Sequence, residues 1–223
     1  VYYTFAGHWP YPNFSSEHQI VKPDSSLNRY INNLFMQDKV IEKIITGLKE
    51  MDKFNNTIFV IVGDHGEAFY QHPGNRVHSG ESYNENIVSP LVIYSPRYMI
   101  SYKVKYPTVH ADIVPTLLEI SGIPYKKEQF QGESLNTKAV RRYVFTYGNE
   151  NTLTAVSTDL LKMQILRKDE GSCRSFDLKV DWKEAKNLGC DTTSNQYKAI
   201  EAFFRLQPDI LKGYNDLCNR STC

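Results

Sequence analysis

The fold of this chain is decided by the stretch Thr57-Ile58-Phe59-Val60-Ile61-Val62-Gly63-Asp64-His65-Gly66-Glu67. Its first six residues are apolar or β-branched, and such a run predicts a buried β-strand. Asp64 and His65 follow directly, at the glycine turn that ends the strand. Because open α/β sheets bind their ligands at the carboxyl ends of strands, this position indicates a functional site.

Asp64 and His65 form a mixed ligand pair for a metal ion. A carboxylate oxygen beside an imidazole nitrogen suits zinc or manganese and is tolerated by calcium. Two side chains do not complete such a site, and no other carboxylate of the chain has a comparable sequence context. We therefore predict a metal-dependent site whose remaining ligands lie elsewhere. The alternative is an Asp–His hydrogen bond that caps a turn.

His8 lies at the end of a second predicted strand. Residues 1–5 are mostly aromatic or apolar and predict a strand that is already under way. If this strand runs parallel to strand 57–62, His8 and Asp64 face the same crevice. We therefore predict that His8 contacts an anionic group of a substrate. The alternative is a histidine that packs against its aromatic neighbours.

The polar segment after Glu67 contains two more histidines. His78 lies in a loop that can fold back over the metal, where an imidazole can hydrogen-bond an anionic ester or protonate the leaving oxygen. We predict this role for His78, with His72 as a second candidate, and the alternative for both is an exposed loop histidine. Glu67 is predicted to orient His65, and His110 to begin a helix.

The composition indicates a packed globular protein. The chain has 223 residues, a formal net charge of +1 and 41% hydrophobic residues, which excludes disorder and makes nucleic acid a poor partner. It lacks the run of about 18–20 apolar residues that a membrane span needs. Because the chain opens without Met in an apparent strand, we expect an upstream portion that is missing or lies on another chain.

The cysteines predict two disulfides. Cys173, Cys190, Cys218 and Cys223 show neither a CxxC motif nor the spacing of a zinc site, and pairing neighbours would close two short loops. Such bridges favour an oxidising compartment, extracellular or lysosomal, whereas four free thiols would indicate the cytosol. Three glycosylation sequons add little weight, since about two are expected by chance.

Hydrophobic periodicity predicts an α/β fold with a mixed sheet flanked by helices in residues 1–140. A small α+β subdomain is predicted for residues 141–223. The predicted helices are an amphipathic helix begun by Ser25 or Ser26 and ending near Met51, a helix from Asp112 to Ile120, and a last helix near Asn195–Leu211. The predicted strands, after the two already described, are Leu91–Tyr94, Tyr143–Tyr147, Thr152–Ser157, Leu160–Leu166 and Phe176–Leu178.

Ordered motifs along the whole chain resemble the sulfatase branch of the alkaline phosphatase superfamily. They are the HxPY-like loop Gly7–Tyr11, the DHGE metal loop Gly63–Glu67, the segment from His78 to Pro90 before a VPL-like strand, the helix segment Val109–Leu118, and Ser175–Leu178 with Ala185–Leu188, which resemble an "LYDL…NL" element. The resemblance implies an alkaline-phosphatase-like sheet. It also implies that Asp64 and His65 bind the catalytic metal and that His8 and His78 contact the sulfate or phosphate group.

The resemblance further implies one divalent cation and a nucleophile from outside this chain. Calcium is the usual cation of sulfatases, whereas the histidine at 65, where many carry Asn, leaves zinc or manganese possible. The sulfatase nucleophile is a formylglycine made within a CxPSR-like motif, which the chain lacks together with the amino-terminal metal carboxylates. The chain therefore resembles the C-terminal half of such an enzyme, and we expect the missing N-terminal half as its partner.

Three functions follow as hypotheses. The first is metal-dependent hydrolysis of sulfate esters. The second keeps the metal site but acts on phosphate, as a phosphoethanolamine or glycerophosphate transferase or a phosphodiesterase, which the histidine at 78 leaves open because many sulfatases carry Lys there. The third is a non-catalytic extracellular structural or binding module derived from the fold.

Overall fold

The computed structural model describes residues 2–79, 81–98, 103–137, 141–148, 152–166 and 172–220, with the backbone alone for residue 211 and residues 214–220. The chain divides into two compact units. The first comprises Val1–Val62 and Pro90–Met99, and the second comprises Gly63–Ser89 and Ile100–Cys223. The expected domain boundary near residue 140 stays a prediction.

The first unit is built around the long helix α1 (Ser26–Glu50). Its N-cap is Ser25, whose hydroxyl accepts a hydrogen bond from the Asn28 amide at 3.1 Å, as predicted. The buried side chain of Asn32 accepts hydrogen bonds from the amides of Ile20 and Val21 and donates one to the Val21 carbonyl. Asn32 therefore fixes the loop that precedes α1.

Strands β1 (Phe59–Val62) and β2 (Leu91–Tyr94) form a two-stranded antiparallel sheet among the described residues, with Phe59 opposite Tyr94. Both strands were predicted from their apolar runs. The mixed, partly parallel sheet that we expected around them is wrong for the described part of the chain, because β2 runs back along β1. The rings of Phe54, Phe59 and Tyr94 cluster at one end of this pair.

The opening strand is a second correction, because the described residues 2–5 form no regular element. A strand is stable only when its backbone groups pair with a neighbour, and the chain instead turns, with the His8 amide donating to the Phe5 carbonyl. Tyr11 is buried after this turn and packs edge to face on Tyr30 of α1. His8 therefore lies in an exposed turn rather than at the end of a strand.

The second unit contains short helices and a larger sheet. Helix α2 (Asn84–Ile87) is one turn long, and a 3-10 turn at His110–Asp112 leads into α3 (Ile113–Ile120). The sheet consists of four consecutive antiparallel strands within the described residues, followed by the last helix. These elements are β3 (Tyr143–Gly148), β4 (Thr152–Ser157), β5 (Leu161–Leu166), β6 (Ser172–Asp177) and α4 (Asn195–Arg220).

The two faces of this sheet differ in chemistry because side chains alternate along each strand. One face buries Leu153, Ala155, Met163 and Ile165 against Ile200 of α4 and forms an apolar core. The other face carries Thr154, Lys162 and Gln164, and all three are fully buried. Buried polar side chains require partners: Lys162 pairs with Glu184, which follows β6, and Gln164 donates to the carbonyl of Ser82, just before α2.

One predicted disulfide is present. Cys173 of β6 is bonded to Cys190, and their Cα atoms are 5.8 Å apart. The predicted bridge between Cys218 and Cys223 falls outside the described side chains. No helix in the described ranges combines the length and the apolar character that crossing a membrane requires.

Candidate active site in the loop after strand β1

The loop that follows β1 places the two predicted metal ligands side by side. The Asp64 side chain is 89% exposed, and its Oδ1 accepts the His65 amide at 3.0 Å. Its Oδ2 lies 3.6 Å from Nε2 of His65. The other ring nitrogen of His65, Nδ1, lies 2.8 Å from the Gly66 carbonyl oxygen.

These contacts decide which ring nitrogen of His65 holds the proton. A carbonyl oxygen can only accept, so Nδ1 must be the donor to Gly66. In the neutral ring, Nε2 then presents a lone pair beside a carboxylate oxygen, and two electron-rich atoms repel each other unless a positive charge lies near both. Metal-bound histidines usually donate their second ring N–H to a backbone carbonyl or carboxylate in this way.

The separation of these two donors fits one divalent cation. Two ligands about 2.4 Å from an ion and about 90–100° apart are about 3.4–3.7 Å from each other, and the measured separation is 3.6 Å. The described residues contain no group of three or more His, Cys, Asp or Glu side chains that could hold a metal. Asp64 and His65 therefore suit part of a coordination shell and do not complete one.

His78 lies against His65. The two imidazole rings stack with centroids 4.2 Å apart and planes at 23°. Oε1 of Glu67, a carboxylate only 8% exposed, accepts the His78 amide at 2.9 Å, and its Oε2 lies 3.4 Å from Nδ1 of His78. Glu67 thus holds His78, whereas we had predicted that it orients His65.

The backbone of the loop is held at two further points. His110 donates from Nε2 to the Gly63 carbonyl at 2.8 Å, and it begins the 3-10 turn before α3 as predicted. The Gly66 amide donates to the Asn86 carbonyl of α2, also at 2.8 Å. A Cβ atom at Gly66 would lie 2.2 Å from the Glu85 carbonyl oxygen, so this close approach requires glycine.

His72 makes its ring and carboxylate contacts with Tyr83 and Glu85. Its ring stacks on Tyr83 at 3.6 Å and 5°, and Nδ1 contacts Oε1 of Glu85 at 2.6 Å. Burial raises the pKa of the Glu85 carboxyl, but hydrogen bonds from His72, the backbone and Asn75 outweigh burial, so that the pKa is lowered overall. His72 therefore supports Glu85 rather than the loop of Asp64.

His8 belongs to the first unit, whereas Asp64, His65 and His78 belong to the second. The Nδ1 atom of His8 donates to the Trp9 carbonyl at 2.6 Å, and the ring lies edge-on to Phe5 at 6.4 Å. The predicted proximity of His8 to Asp64 stays a prediction.

A family model described as Sulfatase matches residues 1–123, which is more than half of the chain and includes all four predicted site residues. The chain belongs to the sulfatase family. The resemblance noted from the sequence motifs is thereby confirmed.

Sequence relatives of this sulfatase-family chain match it in part. Sulfatase ppz1 of Metarhizium majus is 31% identical over 127 residues, which are 56% of this chain and 29% of that protein. An arylsulfatase of Clostridium perfringens is 28% identical over 180 residues, which are 76% of this chain and 36% of that protein.

A solved structure shares the fold. Ps i-CgsB, crystallised in complex with k-i-k-neocarrahexaose, has a TM-score of 0.67 and 16% identity, with 88% of this chain and 47% of that chain covered. The sulfatase-family chain thus spans less than half the length of these relatives.

The sequence did not predict the residues that hold the loop of Asp64 and His65 in place. They are Asn75, Glu85 and Asn86, which lie in the polar segment between the DHGE motif and β2. The available signal was the asparagine-rich run around Tyr83, which is unusual before an apolar strand. Side-chain amides that bond to residues some ten positions away leave no periodic pattern in the sequence. The asparagines therefore did not indicate which residues they contact.

Proposed function

We propose that the full-length protein hydrolyses sulfate esters and that Asp64 and His65 contribute two ligands to one divalent cation. The observation that carries the proposal is the pairing of Asp64 Oδ2 and His65 Nε2 at 3.6 Å, with Nδ1 of the same ring held by the Gly66 carbonyl. Sulfatase-family membership supplies the class of ester.

In this proposal the cation stabilises the charge that develops on the sulfuryl oxygens. His78 stacks on His65, and its imidazole would donate a hydrogen bond or a proton to the sulfate group of a substrate bound there. His8 makes a second contact to the same group. Calcium is the cation that the resemblance implies, and the imidazole ligand keeps zinc and manganese as alternatives.

We further propose that the rest of the site comes from outside this chain. The resemblance implies a formylglycine nucleophile and further metal carboxylates in a missing N-terminal half of the same protein. The Cys173–Cys190 disulfide supports an oxidising compartment, and we propose an extracellular or lysosomal location.

The experiment compares hydrolysis of 4-nitrophenyl sulfate and of the phosphodiester bis(4-nitrophenyl) phosphate by the full-length protein. We expect faster hydrolysis of the sulfate ester, reduced about 10²–10⁴-fold by Asp64→Ala, because a metal ion contributes several kcal/mol to charge stabilisation. Asp38→Ala is the matched control, since Asp38 is exposed on α1, where alanine is favourable.

The outcomes separate the three hypotheses. Faster hydrolysis of the phosphate ester would favour the phosphodiesterase or transferase alternative and contradict the sulfatase assignment. A folded full-length protein inactive on both esters, with no bound metal, would favour the non-catalytic module. Full activity in Asp64→Ala would refute the assigned ligand.

A further inference from the structure

Asn86 contacts the loop that carries His65 and the loop that carries His78. Its backbone carbonyl accepts the Gly66 amide at 2.8 Å, directly after His65. Its side-chain Nδ2 donates to the carbonyls of Val77 and His78 at 2.9 and 3.2 Å. One residue, only 2% exposed, therefore connects the chain beside His65 to the chain at His78.

Asn86 is itself held by a buried partner. Asn75 donates to Oδ1 of Asn86 at 2.7 Å and accepts from its Nδ2 at 3.1 Å, so that the two amides pair reciprocally and the two N–H groups of Asn86 Nδ2 are shared among three acceptors. Asn75 also donates to Oε1 of Glu85 at 2.8 Å, and that oxygen contacts His72. Because each buried amide is satisfied by the next, the side chain of Asn86 has one favourable orientation.

Helix α2 is in turn anchored on the polar face of the large sheet. The Asn84 amide donates to Oε2 of Glu184, and the side chain of Asn84 donates to the Trp182 carbonyl at 2.9 Å. Lys162 of β5 pairs with Oε1 of Glu184 at 2.6 Å. The loop of Asp64 is thus connected through α2 to the sheet within the second unit.

We propose that Asn86 is a positioning residue that sets the distance between the rings of His65 and His78. The proposal rests on the proposed function, since it assigns those two rings to one site. An amide is required because Nδ2 faces two carbonyl oxygens, to which the carboxylate of an aspartate would offer a third acceptor and a negative charge. Alanine would leave both carbonyls without this partner.

The test uses the full-length protein with Asn86→Ala and Asn86→Ser, and Gln196→Ala as the matched control. Gln196 is also a buried amide, and its Nε2 donates to the carbonyls of Ala155 and Leu161 at 3.1 and 3.0 Å. Both alanine variants remove a side-chain amide that donates to two backbone carbonyls, but only the carbonyls bonded by Asn86, those of Val77 and His78, belong to a site loop; the bond from the Gly66 amide to the backbone carbonyl of residue 86 is kept in every variant. Thermal unfolding midpoints and circular dichroism establish that each variant is folded at the assay temperature.

We expect Asn86→Ala to lower kcat for 4-nitrophenyl sulfate about 10–100-fold, as is typical when a group that orients site residues is removed. The kcat of Asn86→Ser, whose side chain is shorter but still has a hydrogen-bond donor, should lie between those of Asn86→Ala and the wild type. Gln196→Ala should lower the unfolding midpoint by a similar amount and keep kcat within about twofold of the wild type. Unchanged kcat in both Asn86 variants, or an equal loss in Gln196→Ala, would overturn the proposal.

Hydrogen exchange separates this proposal from the proposed function. If the wild type hydrolyses neither ester, the proposed function fails, but exchange of the His78 amide still reports whether the side chain of Asn86 holds the loop of His78 against α2. We expect the His78 amide to exchange faster in Asn86→Ala than in the wild type and Gln196→Ala, whereas the Gly66 amide keeps its bond to the backbone carbonyl of residue 86. Equal exchange of the His78 amide in all three proteins would refute the positioning role.

Discussion

At the scale of single residues, backbone contacts fix the ring of His65, one of the two proposed metal ligands. Its Nδ1 proton is committed to the Gly66 carbonyl, which leaves Nε2 beside the Asp64 carboxylate. The same residue, Gly66, donates its amide to Asn86. The carbonyl of Gly66 therefore fixes the tautomer of His65, and its amide holds the loop of Asp64 and His65 to α2.

Gly66→Ala tests this dual role. The added Cβ would lie 2.2 Å from a backbone oxygen, so the loop must move, and we expect a loss of about 1–3 kcal/mol in the free energy of unfolding together with reduced ester hydrolysis. Chemical denaturation and the 4-nitrophenyl sulfate assay measure the two effects in the full-length protein.

Gly47→Ala is the matched control for this change. Gly47 lies in α1, and a Cβ there meets no atom within 4 Å, so the variant should gain about 0.5–1 kcal/mol in stability. If Gly66→Ala were as stable and as active as Gly47→Ala, the close approach at Gly66 would not exist in the folded protein.

At the scale of elements, periodicity predicted the helices and paired strands well. The apolar spacing located α1 and its Ser25 cap, an apolar run located β2, and a segment rich in β-forming residues located β4, both with the observed bounds. The opening strand failed because a strand depends on a partner that a local pattern does not reveal. The mixed sheet expected in residues 1–140 was wrong for the described residues for the same reason.

The polar face of β5 illustrates what a pattern does not predict. Lys162 and Gln164 alternate with apolar residues, which is typical of a strand with one face in solvent, yet both are fully buried. Burial lowers the pKa of Lys162 to about 8, an effect that the charge of Glu184 opposes. Their burial depends on Glu184 and Ser82, which are far away in sequence.

Lys162→Met tests the contribution of this buried ion pair. Removal of the ammonium leaves the Glu184 carboxylate buried without its charged partner, so we expect a loss of about 3–5 kcal/mol in the free energy of unfolding. The double variant Lys162→Met with Glu184→Gln should recover much of that loss, because no buried charge remains. Urea unfolding of the full-length protein measures both.

Lys39→Met provides the exposed counterpart. Lys39 pairs with Glu42 on α1 at 2.8 Å, but both side chains are exposed, and such pairs contribute little. The urea midpoint of this variant should match that of the wild type. A Lys162→Met variant as stable as Lys39→Met would show that the buried pair does not anchor α2.

At the scale of the whole molecule, the sequence predicted the candidate site residues but not the residues that hold their loops in place. The DHGE motif predicted Asp64 and His65 as ligands because their chemistry is local, and the structure places the ring of His78 on that of His65. The residues that position this group come from α2 and the large sheet, and contacts between elements so distant in sequence have no signature in one chain. The partner of Glu67 was mistaken for the same reason.

The central claim, that Asp64 and His65 bind a divalent cation, is tested most directly by metal content. The full-length wild type, Asp64→Ala and Asp38→Ala are dialysed and analysed by inductively coupled plasma mass spectrometry. We predict about one equivalent of a single divalent cation, calcium, zinc or manganese, in the wild type and Asp38→Ala, and less than about a tenth of that in Asp64→Ala. Equal metal content in Asp64→Ala and the wild type, or a wild type without metal, would contradict the claim.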